Sequence, residues 1–239
     1  MERNQEMSPR GMARLGGLFY LLIFLVGIFS EFAVRGRLVT DGDGAATAHN
    51  ILAHPALYRM GGLAELTVLL CDTCVALIFY ELFKPVSRRL SLFATVFRLM
   101  LVAIMAVNVT NYFVPLNLLN ADASPNAFSA AQLQTLVMKS LQAYGRGYEI
   151  ALVFFGIHCL IIGFLILRST FLPRILGVLM ALAGLGWLSF SWPPVAYRMY
   201  PYILLPGVVG EGLLTLWLLT MGVNAERWRE QSGAPAGTS

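Results

Sequence analysis

Cys71, Asp72 and Cys74 stand together in the apolar run "LLCDTCVAL", residues 69 to 77. A Cys-x-x-Cys pair can carry redox chemistry or hold a soft metal ion, and with His158 and Cys159 it could supply four ligands. Helix geometry argues against both. Cys71 and Cys74 are one turn apart with no turn residue between them, and adjacent His158 and Cys159 diverge by about 100°. On the same wheel the two thiols point about 100° and about 160° away from Asp72. The expectation is no metal and no cofactor, with Asp72 as the informative residue and the cysteines as small packing groups.

An ionised carboxylate inside an apolar helix is costly, so it needs a partner. Arg98 enters its own apolar run, "RRLSLFATVFRLMLVAIM", about 11 Å from the basic turn at 84–91, and Asp72 lies about 17 Å from the same turn. An arginine side chain covers that difference, which predicts a buried Asp72–Arg98 ion pair. Glu65, seven residues before Asp72, returns to nearly the same helix face. Glu211, in "PGVVGEG", has no local cation either, and the surrounding Pro206, Gly207, Gly210 and Gly212 allow a kink and a close backbone approach. Glu65 and Glu211 are therefore grouped in one acidic half of the protein with Asn108 and Asn111, as candidates for binding a cation or moving a proton. His158 sits near the depth of Asp72, where a neighbouring carboxylate would tune its charge and make it a proton carrier. Glu31 and Arg35, one turn apart, read as an ordinary interfacial pair.

The elements that position these groups follow from composition. Of 239 residues 57% are hydrophobic and 13% charged, where a soluble domain carries roughly 25% charged residues. Apolar stretches near 16–34, 61–83, 91–115, 147–167, 175–192 and 202–222 each approach the roughly 20 residues that cross a hydrocarbon core. The expected fold is an all-α integral membrane bundle of six transmembrane helices, with short helices in the longer loops at 35–60 and 120–146. In the second of these loops Ser124 and Pro125 form a helix start, and Phe128, Leu133, Leu136, Val137 and Leu141 recur at helical spacing. The expected organisation is a cytoplasmic segment at 1–13, a six-helix domain at 14–225 and a disordered cytoplasmic tail at 226–239. With both termini inside, ten lysines and arginines fall on the inner side and six on the outer, which agrees with the positive-inside rule. The net charge of +4 then faces anionic lipid and calls for no nucleic-acid partner. Trp187, Trp192, Tyr197, Tyr200 and Tyr202 read as an aromatic belt at the outer interface.

The stretches "RLGGLFYLLIFLVGIFSEF", "DGAATAHNI", "KPVSRRLSLFATVFRLMLVAI", "LVFFGIHCLIIGFLILRSTFLPRILGVLMALAGLGW" and "PGVVGEGLLTLWLLTMGVN" resemble the bacterial membrane proteins of domain-of-unknown-function family 4386. The resemblance implies a compact all-helical protein of the bacterial inner (plasma) membrane. It brings no reaction, ligand or catalytic residue.

Three functions fit these residues. The first is a bundle that binds or transports a small cationic or amphiphilic molecule through a polar cavity, with Asp72, Arg98 and His158 as a charge relay beneath it. The second is an intramembrane enzyme acting on a lipid or isoprenoid-like substrate through Glu65 or Glu211 as general acid. The third is a structural or partner-binding membrane subunit whose buried charges serve packing alone. The expected partners are membrane lipid and a small-molecule ligand.

Overall fold

A computed structural model describes residues 7–120 and 128–233. Among these residues every regular element is helical: α1 (Pro9–Leu38), α2 (Gly44–Ala53), α3 (Pro55–Leu119), α4 (Ala130–Arg168), α5 (Arg174–Leu188), α6 (Pro193–Met199), α7 (Leu205–Thr220) and α8 (Ala225–Ser232). An all-helical chain is what a hydrocarbon solvent demands, because a helix satisfies its own backbone hydrogen bonds. Five helical segments, Pro9–Leu38, Pro55–Leu119, Ala130–Arg168, Arg174–Ser191 and Tyr202–Thr220, are long and apolar enough to cross a membrane. They mark the chain as a membrane protein.

The second and third expected spans run together in α3, which is 65 residues long. Within it Ser87 leaves the helical region (φ −163°, ψ 108°), and its hydroxyl accepts from the Leu90 amide at 3.4 Å, as an N-cap does. The chain reverses there. Ser91 donates to the carbonyl of Tyr80 at 2.9 Å, Thr95 to that of Ala76 at 3.3 Å, and Arg98 meets Asp72. Each step forward on one arm matches a step back on the other, the signature of an antiparallel helical hairpin. Were α3 straight, residues 72 and 98 would stand about 39 Å apart.

The chain divides into two compact units. The first takes in residues up to Leu21, Cys71–Leu101 and Ile150 onward. Here α4 and α5 pack through facing glycines. A Cβ on Gly163 would lie 2.7 Å from the Gly177 carbonyl oxygen, and one on Gly156 would lie 2.9 Å from that of Gly184. Such contacts bring backbones together where the bilayer offers no hydrophobic drive for helix association. On α7, Gly210 similarly faces the Leu179 carbonyl and Gly207 faces the Trp187 ring.

The second unit comprises Leu22–Leu70 and Val102–Glu149. Tyr58 and Tyr112 stack at 4.7 Å, and each hydroxyl donates to the other residue's carbonyl, at 2.5 and 3.0 Å. α2 begins at Asp43, whose side chain accepts from the Ala46 amide at 2.9 Å. In the other long loop the residues from 130 onward belong to α4 itself, a 39-residue helix, so no separate loop helix stands among the described residues. The apolar period at 133, 136, 137 and 141 is continuous with that of the span that follows. The expected helix start at Ser124 and Pro125 lies outside the described residues.

Part of the expected disordered tail is helical, while its residues 234–239 lie outside the described residues. Residues 225–232 form α8, because Asn224 caps the Arg227 amide at 3.1 Å and Gly233 closes the helix with φ 69°. Its Trp228 indole N–H donates to the Leu82 carbonyl at 2.8 Å, and Gln231 bonds the 168–170 turn. Replacing Trp228 by Phe keeps the ring and removes that hydrogen bond, a change of about 1 kcal/mol. Limited trypsin cleavage after Arg227 and Arg229, followed by mass spectrometry, should then run about fivefold faster. An unchanged rate would mean that the indole does not hold the tail.

Candidate functional site

Arg98 is fully buried, with 0% of its surface exposed. Its Nε and Nη2 both donate to Asp72 Oδ1, at 2.9 and 2.5 Å. The guanidinium also lies over the rings of Tyr20, 4.7 Å from the centroid, and Phe155, at 5.3 Å. An arginine so placed exchanges hydration for one carboxylate and two π faces. The predicted ion pair is therefore present, closed across the hairpin of α3.

His158 joins the same group through a different partner than the sequence suggests. Its Nδ1 lies 2.8 Å from the Ala94 carbonyl, and its Nε2 lies 3.2 Å from Arg98 Nη1. A carbonyl only accepts and a guanidinium only donates, so Nδ1 carries the proton and Nε2 offers its lone pair. His158 is thus a neutral imidazole packed between Phe79 and Phe155, and the group beside it is a cation, not a carboxylate.

Glu211 belongs here too. The sequence reading groups it with Glu65, Asn108 and Asn111, whereas the structure puts Glu211 in the first unit and those three in the second. Close packing accounts for its partners, since Gly207 and Gly210 let α7 press against α5 and bring the Glu211 carboxylate to Trp187 of that helix. Tyr20 Oη donates to Glu211 Oε2 at 3.0 Å, and Trp187 Nε1 donates to Oε1 at 2.7 Å. Both donors are neutral. Among the described residues no lysine or arginine forms an ion pair with Glu211. Trp187, assigned to an interfacial belt on sequence, is half-buried and serves instead as a donor to this carboxylate. Tyr20 carries one sequence signal, that of a tyrosine inside an apolar span whose hydroxyl must find a partner.

In the second unit Glu65 accepts from Ser30 at 2.8 Å. Ser30 sits in a π-helical stretch of α1, Phe29–Arg35, a widening often found where a helix serves a site. Asn108 donates to the Tyr144 carbonyl at 2.8 Å and accepts from Asn111 at 3.1 Å. These bonds tie α3 to α4 beside Gly147, where a Cβ would collide with the Asn108 amide. A pocket of about 20 Å³ lies among Val34, Leu38, Tyr58, Tyr112 and Tyr144, room for one water. Glu65, expected on the face of Asp72, belongs to the second unit, and Asp72 belongs to the first.

Cys71, Cys74 and Cys159 are free thiols. Among the described residues no three His, Cys, Asp or Glu side chains gather as a metal site, and no fully buried side-chain nitrogen or oxygen lacks a hydrogen-bond partner. The Glu31–Arg35 pair forms at the surface, at 3.8 Å, where such pairs contribute little.

The chain is similar to an uncharacterized protein of Archaeoglobus fulgidus, 28% identical over 173 residues that cover 70% of this chain and 86% of the relative. That relative is archaeal, so the similarity does not carry the bacterial origin expected from sequence. No solved structure matches the chain. The family model described as Domain of unknown function (DUF4386) matches residues 15–222. That span takes in Tyr20, Asp72, Arg98, His158, Trp187 and Glu211, so the whole buried cluster lies inside the matched domain, and the chain belongs to the DUF4386 family.

Proposed function

We propose that this is a multi-pass protein of the bacterial inner membrane, crossing it six times with both termini in the cytoplasm, that binds or transports a small cation. The reversal at Ser87 supports six crossings, since it divides α3 into two arms that each suffice to span. One observation carries the functional reading: Glu211 is a buried carboxylate held by two neutral donors, with no ion pair among the described residues. A carboxylate in that position needs a proton or a cation with it, and exchanges one for the other at little cost in structure. The neighbouring Arg98 is already committed to Asp72, so it fixes the local field without neutralising Glu211. The tight packing around the cluster favours a proton or a compact cation over a bulky amphiphile.

The test is transport by the full chain in liposomes loaded with pyranine, with tetraphenylphosphonium as a bulky cation probe. Wild-type protein should move protons down an imposed gradient, and Glu211→Gln should slow this more than tenfold while eluting as the same folded species. Equal rates for the two proteins and for protein-free liposomes would sink the transport reading and leave the structural-subunit alternative. That alternative has its own support in the complete hydrogen bonding of the cluster. Glu65→Gln provides the comparison in the second unit and should leave the rate unchanged.

A further inference from the structure

We propose a second site, independent of Glu211, that holds the phosphodiester headgroup of an anionic phospholipid in the groove between the α4–α5 turn and α8. The groove is open to the surface, has a volume of about 590 Å³ and is lined by the polar residues Ser169, Thr170, Arg174, Arg227, Glu230 and Gln231 with Leu172. That volume falls within the usual range for small-molecule sites.

Its walls are built, not incidental. Gln231 Oε1 accepts from both the amide and the hydroxyl of Thr170, at 3.0 and 3.1 Å, and Gln231 Nε2 donates to the Arg168 carbonyl at 3.2 Å. The Asn224 amide donates to the Phe171 carbonyl at 3.2 Å. These bonds fix α8 against the turn and hold Arg227 on one side of the groove, where one of its five N–H donors reaches the Thr170 carbonyl at 3.4 Å. Arg174, exposed at the start of α5, supplies the other side. Two guanidiniums against the one carboxylate of Glu230 leave the lining positive, and guanidinium forks match phosphate oxygens.

The place in the fold separates a lipid from free phosphate. The groove sits where two membrane-spanning segments, Ala130–Arg168 and Arg174–Ser191, begin and end, the level of the headgroups. Beside it Ile175 and Phe164 present apolar surface outward, and Arg168 lies over the Phe164 ring at 5.3 Å, stem along the apolar surface and charge at the interface. An acyl chain can follow the headgroup along those side chains.

Native mass spectrometry of the detergent-purified full chain, titrated with phosphatidylglycerol or phosphatidylcholine, tests the site. Phosphatidylglycerol should bind about tenfold tighter than phosphatidylcholine. Arg174→Gln and Arg227→Gln should each weaken it about fivefold, the usual contribution of one basic residue at a membrane surface, and Glu230→Gln should strengthen it. Arg88→Gln with Arg89→Gln, at the other basic turn, should leave affinity unchanged. Because Arg174 is exposed, its variant keeps the proposal testable even where changes at Arg227 disturb α8. Equal loss at Arg88 and Arg89 would reduce the effect to diffuse charge and overturn the site. Full displacement of the lipid by millimolar inorganic phosphate would overturn the lipid and leave a free-phosphate site.

Discussion

Asp72→Asn is expected to deplete the folded protein, and adding Arg98→Gln to the same chain is expected to restore most of it. The single change leaves a fully buried guanidinium without its ion-pair partner, at a cost of about 3–5 kcal/mol. Arg98→Gln alone strands the carboxylate with a similar penalty. The double variant places two amides where the ion pair was, the glutamine ending near the position of Arg98 Nε, 2.9 Å from Asp72 Oδ1, and should fall within about 1–2 kcal/mol of wild type. Unfolding in mixed micelles with increasing sodium dodecyl sulfate, followed by near-ultraviolet circular dichroism, gives the three midpoints. A double variant no better than the worse single would show that the two residues are not coupled, and would refute the pairing across the α3 hairpin.

The second large effect belongs to the α4–α5 seam. Gly163→Val should prevent the two helices from closing, because its Cβ would lie 2.7 Å from a carbonyl oxygen and 2.8 Å from the Ala181 amide nitrogen. Backbone atoms cannot swing aside as a side chain can, so the cost should reach the upper end of overpacking, about 3 kcal/mol. Gly212→Ala is the matched control. Nothing lies within 4 Å of its Cβ, and it should be neutral or slightly stabilising through helix propensity. The same denaturation curves report both variants. If Gly163→Val and Gly212→Ala behave alike, the seam is not closely packed.

The α3 hairpin and its charge pair were legible in the sequence because hydrocarbon leaves few choices: a charge must meet its opposite, and depth along a helix follows from counting residues from the basic turn. Rotation about each helix was harder to read. Glu211 meets Tyr20 and Trp187 only because Gly207 and Gly210 admit close packing against α5, and no local pattern ties residues 20, 187 and 211 together. His158 shows a related limit. Depth brought it to the right level, but only the packed neighbours decide that a guanidinium, not a carboxylate, faces its ring. In the tail, composition rich in small and polar residues reads as disorder, whereas the structure shows a helix bounded by caps at Asn224 and Gly233. Physical capping proved the better guide there than average composition.

The reversal at Ser87 also bears on how the protein enters its membrane. Asp72 and Arg98 lie on the two arms of one hairpin, so their charges cancel within that hairpin before any other helix needs to be in place. The two arms can leave the insertion machinery for lipid with these two charges already paired, where either arm alone would carry its own charge bare into hydrocarbon. The ion pair thus favours entry of the two arms together as well as holding them in the finished bundle.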